Sequence, residues 1–281
     1  MKSSIVPLTD EVDESIRKVN FPLRQLAIIP LLLLWALGIF MAGGLLFFLH
    51  SQNALGLDAH AYWLTAQHVR LYDLPPLSRN AFLYSPVFAN IVWPLAQLPW
   101  PVFGSLWAAA EIATFVWLLA PLGWRWSVPL LLLCTPETAV GNVYAFFALA
   151  AVLGIRRPSI WALPLLTKVT PGVVIVWFAI RKEWRHLATI AIVVLVFSAL
   201  SFFLSPQPWL DWFRFLLTTP SVPILWMPYR IGAGLLVAVV AAKSRRPWLL
   251  APAMLLACPV LGLNSLTILA AIPRLKSKRC G

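Results

Sequence analysis

Asp58, Tyr62 and Thr65 are spaced four and three residues apart. Residues at those separations are neighbours on a helix surface, so a carboxylate, a phenol and a hydroxyl share one face. They stand in the stretch from Gly56 to Pro101, directly after a long apolar run. A carboxylate held at a membrane edge can take a proton from a hydroxyl within hydrogen-bond reach. Trp63, Leu64 and Leu71 can lie against lipid headgroups, as aromatic-rich amphipathic helices do along an interface. The stretch is therefore expected to be an active-site loop at the membrane surface.

The elements that must position it are apolar. Of the 281 residues 60% are hydrophobic and 11% charged, whereas about a quarter of the residues in an ordinary soluble domain are charged. An all-α polytopic membrane protein follows. The 15 Trp suit the headgroup layer, and the 24 Pro imply many broken or short helices whose freed carbonyls neighbouring helices or water must satisfy. The net charge of +12 reads as topology and lipid contact, not as a nucleic-acid partner, because the basic residues come in clusters between apolar runs. Cys134, Cys258 and Cys280 have no CxxC spacing, so three unpaired thiols is the simplest reading.

Residues 1–24 are polar and carry four acids, unlike a secretory signal. They are expected as a cytoplasmic tail, with Arg17, Lys18 and Arg24 holding it inside ahead of the first span. The later clusters (Arg125; Arg156-Arg157; Arg181-Lys182-Arg185; Lys243-Arg245-Arg246; Arg274-Lys276-Lys278-Arg279) are separated by room for out-and-back hairpins. Placing them all inside predicts about ten crossings, over 25–49, 101–123, 126–140, 142–155, 158–170, 171–180, 186–204, 229–242, 247–259 and 262–273. The organisation is a single domain over 25–273, with residues 50–100 as an extracytoplasmic loop of juxtamembrane helices and 274–281 as a basic cytoplasmic tail. Phe82–Leu98, with Pro86 and Pro94, is then a non-crossing element. Several spans are shorter than a bilayer, and some are expected as half-helices around a cavity.

This topology leaves few groups for chemistry outside. Four of the ten acids lie in the tail, Glu183 is inside, and Glu111 falls within a span, where an ionisable side chain is a functional suspect. Asp58, Asp73, Glu137 and Asp211 remain, with Arg70, Arg79, Lys168, Arg214 and Arg230 as the outward cations.

The order Asp58-x-x-x-Tyr62, Leu71-Tyr72, Phe82-x-Tyr84-Ser85-Pro86-x-Phe88, Pro94 and Leu98-Pro99 resembles the first loop of GT-C glycosyltransferases that use polyprenyl-phosphate sugars. It is most similar to family 87, with its mannosyltransferases of the phosphatidylinositol mannoside type. Gly141-Asn142 resembles that family's Gly-Gln or Gly-Asn, and Lys168-x-x-Pro171 with Arg181-Lys182-x-Trp184 its later pattern. The family's Tyr-Pro-Pro is here Tyr84-Ser85-Pro86. The resemblance covers roughly residues 25 to 190. It implies a membrane glycosyltransferase of the cell (plasma) membrane, acting extracytoplasmically on a polyprenyl-phosphate donor and a glycolipid or glycan acceptor, with mannose as the expected sugar. It implies no cofactor and leaves a divalent metal open.

Within that chemistry Asp58 is the expected general base; its alternative is the N-cap of a helix beginning at Ala59. Lys168, Arg214 and Arg230 are candidates for the donor phosphate, by fork or point charge, although a lone Lys in an apolar run also snorkels and either Arg could meet anionic lipid. Tyr62, Tyr84, Asn142 and Asp211 are candidate substrate contacts; the tyrosines also suit an interface without any function, and Asp211 could simply cap a helix. His60 and His68, eight apart, do not form one metal site. A transporter would also place ionisable groups near broken helices, though the two related halves it tends to show are not found here. A non-catalytic membrane partner of envelope enzymes would not need Asp58.

Overall fold

The computed structural model describes residues 9–67, 70–76, 78–168, 170–218 and 226–277, with backbone alone over 9–27 and at 170, 171 and 174. Every regular element among these residues is helical. In chain order the helices are α1 (Thr9–Ser51), α2 (Leu57–Trp63), α3 (Pro86–Ala96), α4 (Trp100–Leu119), α5 (Trp124–Leu132), α6 (Thr135–Val140) and α7 (Tyr144–Leu153). There follow α8 (Ala162–Thr167), α9 (Val176–Ile180), α10 (Trp184–Leu204), α11 (Pro206–Thr218), α12 (Met227–Ser244), α13 (Leu250–Ala257) and α14 (Ile272–Ser277).

Three stretches are long and apolar enough to cross a bilayer: Ile28–Ser51 in α1, Trp100–Leu122 over α4 and its 3₁₀ extension, and Trp184–Leu204 in α10. The 21 residues of α10 rise about 30 Å, the thickness of a hydrocarbon core. Their outer faces are apolar and uncovered: Phe47 is 77% exposed and Phe203 82%. Contiguous apolar surface of this kind belongs against lipid.

Elsewhere the expected spans are assembled from shorter pieces. Residues 126–140 fall in α5 and α6, with Leu133 and Cys134 between them, and 142–155 holds the ten-residue α7. The 158–170 span is a 3₁₀ turn, Pro158–Trp161, followed by α8, and the next is a 3₁₀ run, Thr170–Ile175, followed by α9. Proline accounts for the restarts. Its missing N–H costs nothing in the first turn of a helix, and Pro86, Pro101, Pro136, Pro158, Pro228 and Pro247 all stand there. The 82–98 segment holds α3, eleven residues with Pro94 inside, which rises roughly 16 Å, about half of a hydrocarbon core. Residues 9–24 of the expected tail are helical and continuous with the first span, because α1 runs unbroken from Thr9 to Ser51. Residues 1–8, His68, Lys278, Arg279 and Cys280 lie outside the described residues.

Helices in lipid gain little from hydrophobic association with one another, so close packing and interhelical hydrogen bonds must hold them. Small residues supply the packing between α12 and α13, where Ala238, Ala241, Ala242, Ala251, Ala253 and Ala257 are buried. A Cβ at Gly234 would come within 2.8 Å of the Ala253 carbonyl oxygen. Over the loop an aromatic cluster takes this role: Tyr62 meets Tyr84 and Phe88 edge-on with centroids 5.1 Å apart, and Phe103 stacks on Trp107. Trp63, half-buried, packs against the same cluster. Its indole N–H donates to the Leu98 carbonyl at 2.8 Å, across the link between α3 and α4.

Candidate active site

The site begins at a left-handed glycine. Gly56, with φ at +69°, is the N-cap of α2 and contributes no side chain, and its N–H donates to the Ala139 carbonyl of α6 at 2.7 Å. The helix therefore starts at Leu57, two residues earlier than a cap at Asp58 requires, and Asp58 makes no capping bond. The capping alternative is corrected: the carboxylate is directed across the loop, where Oδ2 accepts from the Asn142 amide nitrogen at 2.5 Å.

Asn142 joins two charges. Its Oδ1 accepts from the Val143 N–H at 2.8 Å, from the Lys168 ammonium at 3.2 Å and from the Tyr84 hydroxyl at 3.4 Å. Three donors on that atom leave the amide nitrogen for the carboxylate, which fixes the orientation of the side chain. Lys168, the residue closing α8, also donates to the Tyr144 hydroxyl at 3.3 Å. Its Nζ lies 4.4 Å from the Tyr144 ring centroid and 4.9 Å from that of Tyr84, within range of cation–π attraction. A snorkelling lysine sends its ammonium to the headgroups; this one turns inward, and that alternative is also corrected.

Asp58 and Lys168 are half-buried, while Asn142, Tyr84 and Tyr144 are buried. Burial pushes the Asp58 carboxyl above its ordinary value, and the Lys168 charge and the Asn142 bond each draw it back. Tyr62 has no exposed surface; its hydroxyl meets that of Tyr84 at 2.7 Å, so as placed it positions Tyr84 rather than offering a face to a ligand. Thr65 bonds its own helix, to the Tyr62 carbonyl at 2.7 Å. Ser85, in place of the family's proline, caps α3 by accepting from the Phe88 N–H at 3.4 Å, and its hydroxyl donates to the Leu166 carbonyl of α8.

The remaining candidates lie at different distances from this core. Arg230, in the first turn of α12, donates Nη2 to the Cys258 carbonyl and leaves its buried Nε without a partner among the described residues. Its charge and that of Lys168 both act on Cys258, and it acts on Tyr144 as well, which puts it on the Lys168 side of the site. Asp211 and Arg214 lie on α11 and pair with each other at 3.7 Å, with Gln207 donating to Asp211 at 2.8 Å. They are not in the Asp58–Asn142–Lys168 chain. Phe215 of the same helix approaches Tyr72 of the first loop, centroids 5.7 Å apart. His60 bonds the Asn80 side chain at 2.9 Å and meets Trp100 edge-on. Glu111 is fully buried on α4, outside the chain, and neither of its oxygens has a partner among the described residues. Glu137 stood in the sequence only as one of four outward acids, and Tyr144 was not singled out, because nothing in its spacing separates it from an ordinary core position. No group of three His, Cys, Asp or Glu converges among the described residues.

Gly141 is what lets α6 and α2 meet at this point. Its φ is +73°, and a Cβ there would fall 2.5 Å from the Ala59 Cβ. Gly141→Ala should therefore cost several kcal/mol through backbone strain and overpacking, and should also push Asn142 away from Asp58. Thermal unfolding in detergent, read beside transfer activity, checks this: both should fall, and an unchanged midpoint would contradict the close packing.

Apolar, lipid-facing helices thus carry a carboxylate and an ammonium joined by one amide, a candidate polar site in a membrane protein. The profile of glycosyltransferase family 87 matches residues 82–280, most of the chain, and the protein belongs to that family. It is thus a membrane glycosyltransferase. The matched region contains Tyr84, Asn142, Lys168, Arg214 and Arg230 and begins after Asp58, so Asp58 enters the site through geometry. Comparison with curated proteins and with solved structures gives no match.

Proposed function

We propose that this glycosyltransferase moves a sugar, mannose by family resemblance, from a polyprenyl-phosphate donor to a hydroxyl of a lipid-linked or cell-envelope glycan, on the extracytoplasmic face of the cell membrane. The observation that carries the reading is the Asn142 bridge, with the Asp58 carboxylate on one side and the Lys168 ammonium on the other. Transfer needs both signs of charge. The acceptor oxygen bonds to the anomeric carbon as the bond from that carbon to the phosphate oxygen breaks. The phosphate leaves with the electron pair, and the acceptor proton passes to Asp58.

Lys168 is the cation for the phosphate charge as it develops, and the unpartnered Arg230 Nε is a second donor on the same side. Tyr84 and Tyr144 hold the ammonium until the phosphate arrives. A buried Tyr62 keeps Tyr84 in place. Asp211, half-buried, and Arg214, exposed, on the helix α11 that touches the first loop through Phe215, are assigned to the acceptor and the headgroup layer. The direct test is supply of labelled sugar to reconstituted protein: a polyprenyl-phosphate mannose should support transfer and a nucleotide mannose should not. Use of the nucleotide sugar alone would overturn the donor assignment.

The reading places about ten crossings in the membrane, with both ends inside and the first loop outside. It is supported by the charge pattern, since this arrangement puts all but five of the 22 Lys and Arg on the cytoplasmic side. In intact cells Ser78→Cys should react with an impermeant thiol reagent and Ser244→Cys should be shielded. The reverse pattern would sink the topology.

A further inference from the structure

Glu137 takes no part in the chemistry above, yet it is completely buried on α6 and is attached to both ends of the turn that carries two of the participants. Its main-chain carbonyl accepts the Gly141 N–H at 2.8 Å, closing α6. Its side-chain Oε1 accepts the Tyr144 N–H at 2.5 Å and the Ala145 N–H at 3.3 Å. These are the first two residues of α7, whose opening donors have no partner within the helix. Val143, in the N-cap position, offers them no side-chain bond. A carboxylate at that end also meets the positive pole of the helix dipole. Between the attachments at Gly141 and Tyr144 lie only Asn142 and Val143. Asn142 spans Asp58 and Lys168, and Tyr144, two residues on at the start of α7, accepts from Lys168 through its hydroxyl.

We infer that Glu137 is a positioning residue for transfer: it clamps the Gly141–Tyr144 turn so that the Asn142 amide meets Asp58 and Lys168 in one register. The inference rests on the roles proposed above for those two residues. Burying a carboxylate is costly, and a cap alone does not require it, since Ser, Asn or Asp at position 143 would cap α7 locally by accepting from the Ala145 or Phe146 N–H. The glutamate adds a tie across the turn from α6 to α7, and this tie leaves residue 142 free to reach Asp58. Its other oxygen, Oε2, has no hydrogen-bond partner among the described residues, so an amide nitrogen can replace it without losing a bond.

The test is steady-state transfer in proteoliposomes, with polyprenyl-phosphate mannose as donor and a membrane-lipid extract as acceptor. It compares Glu137→Leu, Glu137→Gln, Asn142→Ala, the Glu137→Leu/Asn142→Ala double variant and Asp58→Asn. Glu137→Leu fills the volume but removes the acceptor oxygen, and should lower kcat about 10- to 100-fold through misplacement of the turn, with donor KM moving far less. Glu137→Gln should recover most of that loss. The double variant should be no slower than the slower single variant, because residues acting as one unit are non-additive. Wild-type kcat in Glu137→Leu, losses that multiply in the double variant, or a Gln variant as slow as the Leu variant would each overturn the inference. If Glu137→Leu does not fold, Glu137→Asp, whose carboxylate is withdrawn by one methylene, takes its place with the same expected coupling to Asn142. Retained turnover in Asp58→Asn would remove the base assignment only, and the coupling between positions 137 and 142 still decides the inference.

Discussion

Asp58→Asn should abolish transfer while leaving the protein folded and inserted. Loss of a positioned general base lowers turnover about 10²- to 10⁴-fold, and an amide of the same size cannot take the acceptor proton. The structure sharpens this expectation, because the other use of an aspartate at this position is absent. Gly56 is the N-cap, and Asp58 makes no capping bond whose loss would unfold α2. The carbonyl of the introduced amide can still accept from Asn142, so the bridge survives, and the change in stability should stay under about 1 kcal/mol, the scale of a first-turn charge at a helix end. Turnover and the thermal midpoint of the purified variant are the two measurements. Near wild-type turnover would end the base assignment and move it to Asp211 or Glu137.

Lys168→Ala should be nearly as damaging, for a different reason. Removing one preorganised group that stabilises developing negative charge typically costs about 10²- to 10³-fold in kcat. Lys168→Arg is not expected to restore it, since a planar fork cannot occupy the place of a point charge between two tyrosine rings and an amide. The substitution also has a signature in pH. Asp58 must be ionised to act, and burial already holds its carboxyl above the ordinary value while Lys168 draws it down. Without the ammonium the carboxyl rises further, so the acid limb of the kcat/KM profile should move to higher pH. A limb that stayed in place, or moved lower, would mean that Lys168 is not Asp58's electrostatic partner. Arg230→Ala should reduce donor use less, because one of its donors is already engaged at the Cys258 carbonyl.

Much of this protein was legible without a fold. The poverty of charge sets the membrane class, since a chain with 11% charged residues cannot cover a water-facing surface. The scarcity of acids singled out Asp58, and the isolation of Lys168 in an apolar run made it a suspect. These are one-dimensional properties: composition, run length and the presence of a charge where one is expensive.

The tertiary structure decided what periodicity cannot carry. Sequence could not separate a capping from a reaching carboxylate, because the choice turns on whether α2 begins at Leu57 or Ala59, and a left-handed Gly56 held by Ala139 makes it Leu57. Nor could it tell a snorkelling lysine from an inward one, since both look alike until Asn142 and Tyr144, 26 and 24 residues away, are brought within hydrogen-bond distance. Nor could sequence show that the Trp63 indole, whose chemistry suits the headgroups, is held by the Leu98 carbonyl. Glu137 carried no local mark as a clamp because its partners lie beyond a turn, on the next helix. Residue type determines what each group can do, and only three-dimensional proximity, enforced here by glycines with positive φ and by helices that restart at proline, determines which partner it meets.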